Sequence, residues 1–227
     1  MSASPRIVAV VAARDEAVRV GMTVEAIRSL SDVDEVIVVD DGSRDGTADL
    51  AAAAGARVLV LPRTVGKGRA LDRALGSLDA DVFLLLDADL GASAKEASAL
   101  LGPVLSGDAD IAIGVLPPQA GHGGFRLVKR ASAAWIRWLS GFRAAEPMSG
   151  QRALTRRALE AVRPLARGFG VELGMTVDAV RAGLRVMEVP VAMEHAPTGR
   201  DLRGFLHRAR QGFDHLLAAL PRAVGLR

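Results

Sequence analysis

A chain of 227 residues, half of them hydrophobic and 24% charged, has enough apolar content for a sizeable core and does not have the composition of a disordered segment. Its 29 basic and 26 acidic residues leave a net charge of +3, without the basic excess that marks a dedicated nucleic-acid binder. The absence of cysteine excludes disulfides, thiolate zinc sites, iron–sulfur clusters and cysteine nucleophiles, and with only four histidines a metal site would lean on carboxylates.

The first apolar run, 7–13, is too short to span a bilayer and is followed directly by Arg14, Asp15 and Glu16. A cytoplasmic protein is expected, with peripheral contact at the inner face of a membrane left open. Short β-branched runs at 7–11, 35–40, 57–61, 81–86 and 110–113 read as strands. Between them, 17–30, 47–54, 69–78 and 95–105 have helical spacing. Strands of continuous apolar character alternating with helices predict an α/β fold, a Rossmann-like and mostly parallel sheet covered on both faces.

The Gly- and Pro-rich stretch 117–124 reads as a mobile loop that closes over a ligand. A helix is expected at 126–139, with Leu127, Ala131, Ala134, Trp135 and Trp138 on its apolar stripe. A strand at 150–154, helices at 155–163 and 172–182, and a strand at 185–191 follow. The last element is an amphipathic helix at 202–220, whose stripe runs from Leu202 and Phe205 to Leu217 and Leu220. With no long linker and no internal repeat, 1–227 reads as a single domain.

Ligands of open α/β sheets sit at the carboxyl ends of the strands. Two nucleotide motifs fail there. Lys67 is followed by Gly68, and Leu61 stands where a P-loop needs its first glycine; Ala12-Ala13-Arg14 after the first strand lacks the dinucleotide glycines. Asp87-x-Asp89 fits better. Alternate strand positions would point both carboxylates to one side, where two oxygen ligands suit Mg²⁺ or Mn²⁺ and a substrate phosphate. A polar strand end before a helix cap would look the same. Lys67 between two glycines suits a phosphate. Glu172 opens a helix, where the dipole favours a carboxylate for structural reasons also. His195 shares a strand side with Val189, Val191 and Met193, as a half-buried structural histidine would. Arg200, Arg203, His207, Arg208 and Arg210 suit a solvated face, a bound phosphate or an anionic membrane.

Taken in order, Val-Val-Ala-Ala-Arg-Asp-Glu (10–16), Val-Val-Asp-Asp-Gly-Ser-x-Asp-Gly-Thr (38–47), Gly66-Lys67-Gly68 and Leu-Leu-Asp-Ala-Asp (85–89) resemble the GT-A glycosyltransferases of family 2 type. Met148-Ser149-Gly150-Gln151-Arg152-Ala153 looks like that family's Ser-Gly-x-Arg-Ala strand. The segment from Gly168 through Glu172 to Gly174, and the Val189-Pro190-Val191 strand before His195, are similar to glucosyl-3-phosphoglycerate synthases and related retaining enzymes. The resemblance implies a GT-A fold, with a nucleotide-sugar half at about 1–115 and an acceptor half at about 116–227. It implies that Ala12, Ala13, Arg14 and Glu16 border the base and ribose, that Asp41 meets the base edge, and that Lys67 meets ribose or phosphate. Asp89 would be the main ligand of Mg²⁺ or Mn²⁺, with Asp87 near the ribose or in the metal shell and His195 completing the site. Glu172 would hold the acceptor, and Arg200 a phosphate on it.

The expected function is metal-dependent hexosyl transfer from a nucleotide sugar, UDP-linked by preference, to a small acceptor, with no nucleic-acid partner and with homodimerisation left open. Retention is favoured; were the reaction inverting, Glu172 or Asp178 would be the base. A polyprenyl-phosphate glycosyltransferase with a lipid-linked acceptor is the alternative enzyme. A nucleotidyltransferase would want a Gly-rich loop after the first strand, which is missing. A nucleotide-sugar-binding module without turnover is the non-enzymatic alternative.

Overall fold

The computed structural model describes residues 4–117, 123–194, 218, 222 and 223, those at 123–127 and 169 by backbone alone. Seven strands form one sheet among them: β1 (Ile7–Ala13), β2 (Glu35–Asp40), β3 (Arg57–Val60), β4 (Val82–Asp87), β5 (Ile111–Val115), β6 (Arg152–Thr155) and β7 (Val186–Pro190). Their spatial order is β3-β2-β1-β4-β6-β5-β7. All pairs are parallel except those of β6, which runs antiparallel to both β4 and β5. The expected mostly parallel α/β sheet is therefore present, with one reversed strand inserted into it.

Strand alternation divides the core. Ile7, Ala9 and Val11 of β1 face one side, where α1 (Val20–Arg28), α2 (Thr47–Ala53), the 3-10 segment Gly91–Ala97 and α4 (Ser98–Leu105) pack. Val8 and Val10 face the other, against α3 (Lys67–Leu75), α6 (Arg156–Val162) and α7 (Val171–Arg181). Each fully buried Val or Leu in these layers is worth about 1.5–3 kcal/mol relative to exposure. α6 starts on a true cap, with the Thr155 hydroxyl accepting from Ala158 N at 3.1 Å.

α5 (Gly123–Ser140) departs from the expected stripe. Its buried side is Ser132, Ile136 and Leu139, the latter two packed with Leu173 and Val177 of α7 and with Ala218. Ala131 and Ala134 are exposed, and Trp138 is 67% exposed, edge-to-face on a half-buried Trp135 at 5.6 Å between centroids. A serine occupies the buried face because its hydroxyl is satisfied locally, donating to Val128 O at 2.9 Å. The side chain of Leu127, the segment 118–122 and, apart from 218, the whole expected helix at 202–220 lie outside the described residues.

The chain goes from β1 outward to β2 and β3, then returns to place β4 on the other side of β1. That reversal opens a crevice at the carboxyl ends of β1 and β4, the place where sheets of this kind bind ligands. Because β6 is reversed, its amino-terminal end, preceded by Gly150 and Gln151, lies at the same edge. α3 is set close beneath it. A Cβ on Gly68 would lie 1.9 Å from Ala166 O, a backbone atom that no rotamer change can move. Gly68→Ala is expected to cost about 3 kcal/mol through overpacking, read as a lowered midpoint in urea.

Candidate functional site

Two loops form one wall of the crevice by bracing each other. After β1, Asp15 takes a left-handed backbone (φ 54°), and its N–H donates to Ser43 Oγ at 2.9 Å. Arg44 N donates back to Asp15 Oδ1, Glu16 N to Thr47 Oγ1 and Ala17 N to Asp45 Oδ2, at 2.9–3.1 Å. Asp45 and Thr47 are thus turn and loop-bracing residues. The Thr47 hydroxyl bond is the main cause that lowers the Asp45 carboxyl below its ordinary value. Asp40 ends β2 and accepts from Ser43 N at 3.1 Å. Asp41, expected at a base edge, accepts from Val65 N (2.7 Å) and Gly66 N (2.8 Å), and so clamps the loop that leads to Lys67.

Lys67 does not sit in a glycine loop. It is the first residue of α3, delivered by Gly66 at φ 91°. Its ammonium bridges Asp87 Oδ1 at 2.6 Å and Glu172 Oε1 at 2.8 Å, joining the end of β4 to the first turn of α7. Burial pushes this ammonium down, but the two carboxylates outweigh burial and hold it above the ordinary lysine range. Gln151 secures Asp87 from the other side: its Nε2 donates to Asp87 Oδ2 at 2.7 Å, and its Oε1 accepts from Asp87 N at 3.1 Å. A Cβ on Gly150 would lie 2.5 Å from Lys67 Nζ and 2.7 Å from Asp87 Oδ2, so a side chain there would have to displace the bridge.

Asp87 is the last residue of β4, whereas Asp89 lies in the turn beyond it, so their proximity comes from the turn and not from strand alternation. Thr23 of α1 pins that turn: its hydroxyl donates to Ala88 O and accepts from Gly91 N, both at 2.8 Å. Arg19 Nη1 donates to Asp89 O at 3.4 Å. Glu16 completes a negative cluster. Burial, then the charges of Asp89 and Asp87, push its carboxyl up to about 7. This oxygen-rich, negatively charged donor set is of the kind that suits a hard divalent cation. No group of three metal-binding side chains closes among the described residues, and His195 and Arg200 lie outside them.

The raised value of Glu16 has a measurable sign. The folded protein holds an extra proton between pH 4.5 and about 7, so this group's contribution to stability falls as pH rises through that window. Glu16→Gln should therefore melt with the wild type near pH 4.5 and above it at pH 8, as followed by calorimetric melts without metal.

The remaining carboxylate considered as a base, Asp178, lies on α7 in an ion pair with Arg222; Arg222 Nε reaches its Oδ1 at 2.7 Å. Gln151 and Arg152, read from the sequence only as part of a family motif, join the site or its support, as do Thr23 and Arg19, for which the sequence suggests no role. A Gln-Arg pair inside an otherwise apolar buried strand was the available signal for the first two. No helix among the described residues is long and apolar enough to cross a membrane.

Glucosyl-3-phosphoglycerate synthase of Mycolicibacterium paratuberculosis (strain ATCC BAA-968 / K-10) is 37% identical over 200 residues, covering 77% of this chain and 60% of that protein. The chain thus spans about three-fifths of the length of that curated relative. Undecaprenyl-phosphate mannosyltransferase of Micrococcus luteus is 27% identical over 210 residues, covering 86% of each chain. The crystal structure of glucosyl-3-phosphoglycerate synthase from Mycobacterium tuberculosis with Mn²⁺, UDP-glucose and glycerol 3-phosphate superposes with a TM-score of 0.80. It is 31% identical and covers 96% of this chain and 80% of that one. The profile of glycosyl transferase family 2 matches residues 8–156, a span that holds β1 to β6 and with them Glu16, Lys67, Asp87, Asp89 and Gln151; the chain belongs to that family.

Proposed function

We propose that this chain transfers a hexosyl group from a nucleoside diphosphate sugar, UDP-glucose by preference, to a small phosphorylated acceptor. The observation that carries the reading is the Lys67 bridge at the strand-reversal crevice, which links a donor-side acid, Asp87, to an acceptor-side acid, Glu172. The resemblance to a synthase solved with UDP-glucose and glycerol 3-phosphate supports the substrate classes.

In this reading Ala12, Ala13, Arg14, Glu16 and Asp41 line the base and ribose side of the crevice. Asp89, with Asp87 and His195, would hold Mg²⁺ or Mn²⁺. When bound, that ion would neutralise charge on the departing diphosphate. Lys67 holds Asp87 and Glu172 a fixed distance apart through its two ion pairs. Glu172 orients the acceptor hydroxyl, and Arg200 takes an acceptor phosphate. Pairing of Glu172 with Lys67 and of Asp178 with Arg222 favours retention, because neither carboxylate stands ready as a base. The product anomer, read by proton NMR, tests this: inversion overturns it.

A lipid-linked acceptor is the second reading, favoured by Trp138 standing exposed on α5 next to Arg137. The deciding experiment offers UDP-glucose and Mn²⁺ with glycerol 3-phosphate, phosphoglycerate or polyprenyl phosphate and follows phosphorus NMR. Transfer to the small acceptors is expected. Transfer to polyprenyl phosphate alone selects the second reading, and transfer to none contradicts both.

A further inference from the structure

Arg152 heads the fully buried side chains of the described residues, at 1% exposure, in the middle of the sheet. In register it lies between Leu85 of β4 and Ile113 of β5, and Ile113 in turn pairs with Glu188 of β7. Its guanidinium reaches in two directions. Nε donates to Ser149 O at 3.0 Å, immediately before Gly150 and Gln151; Nη1 donates to the Thr176 hydroxyl at 3.1 Å on α7. Thr176 Oγ1 in turn donates to Glu172 O at 2.9 Å, one helical turn back. Nη2 has no hydrogen-bond partner among the described residues.

Burial lowers this guanidinium to about 10, against the pull of Glu172 and Glu188, which leaves it protonated at neutral pH. A buried cation with no partner for Nη2 among the described residues is a cost to folding that a methionine of similar length would not carry. What the guanidinium does, and an aliphatic chain would not, is join two parts of the site.

We infer that Arg152 is a positioning residue. It ties the 149–151 segment, which holds Asp87, to the α7 turn that carries Glu172, and so sets the separation of the two carboxylates that Lys67 bridges. Its kinetic readout rests on the transferase reading above; the geometry it governs is that of the Lys67 bridge and does not.

The test compares wild type with Arg152→Met and Arg152→Lys in thermal melts, in calorimetric binding of UDP with Mn²⁺, in transfer kinetics and in the proton–nitrogen NMR signal of the Lys67 ammonium. Arg152→Met is expected to melt at or above the wild-type temperature and to keep its UDP affinity within about threefold, while kcat falls about 10²-fold, the scale of an ångström of misplacement. Arg152→Lys, which can make one of the two bonds, should fall between. The ammonium signal, sharp in wild type because two carboxylates enclose it, should be lost or broadened in Arg152→Met. Wild-type kcat in the methionine variant overturns the inference. So does a lowered melting temperature with unchanged kcat per folded molecule, which marks a purely structural residue. If the methionine variant does not fold, wild-type kcat in Arg152→Lys overturns it. If the wild type transfers nothing, the transferase reading fails and the ammonium signal decides: its persistence unchanged in either variant overturns the inference, and its loss upholds it.

Discussion

Lys67→Met is expected to destabilise the protein by about 3–5 kcal/mol and to lower kcat/KM by about 10²-fold or more. The Lys67 side chain is only 18% exposed, and its ammonium faces the carboxylates of two side chains that are 23% and 6% exposed. Removing it leaves like charges in a site too enclosed for water to screen them. Lys67→Arg should not restore function, because the bulkier head meets Gly150, where even a Cβ would come within 2.5 Å of the ammonium. Urea denaturation and transfer kinetics check each part.

Arg222→Ala is expected to cost a similar 3–5 kcal/mol for a different reason. Arg222 and Asp178 are 3% and 9% exposed and meet through two nitrogens and both carboxylate oxygens. Arg222 Nη1 also donates to Ala218 O, and Arg181 Nη1 donates to Arg222 O, at 2.8 and 2.9 Å. Alanine removes the two-nitrogen partner of a buried carboxylate on α7. The double replacement Arg222→Leu with Asp178→Leu should recover most of the loss, since a well-packed apolar pair carries no desolvation penalty. Turnover per folded molecule should stay near wild type in both, because this pair faces the small core of α5 and α7 and not the crevice. The urea midpoint and active-fraction kinetics separate the two effects.

The contrast between these two lysine and arginine sites shows what a reading of the sequence can reach. Asp87 and Asp89 are legible because strand, turn and carboxylates are neighbours in the chain. Lys67 is legible as a charge beside glycines, but its role as a bridge is not: its partner Glu172 lies 105 residues away and meets it only through the packing of α3 against α7. Asp178 reads as a candidate base until Arg222, 44 residues on, occupies it. Gln151 and Arg152 are legible as part of a family motif, but their work is not, because it depends on the reversal of β6, and a short strand does not announce its direction. The α5 stripe misleads for a simpler reason. Two tryptophans outweigh a serine in any periodicity, yet the serine satisfies itself against the helix backbone and goes inside, and Trp138 stays in solvent.

The glycines argue the same point from the other side. Gly68 and Gly150 have ordinary negative-side backbone roles open to any residue, and what forbids a side chain is a neighbour brought in by the fold: Ala166 O at one, the Lys67–Asp87 pair at the other. Such positions identify the site as closely built even before any ligand is considered.

In the proposed reading the Asp87–Asp89 turn, next to Lys67, binds a nucleoside diphosphate with a divalent cation. Calorimetry of UDP binding with Mn²⁺, with EDTA, and with Asp89→Ala tests it most directly. Binding with Mn²⁺ is expected, lost in EDTA and lost in Asp89→Ala while the variant still melts cooperatively. Equal binding of UDP in EDTA, or unchanged metal-dependent binding in the folded Asp89→Ala variant, would contradict it.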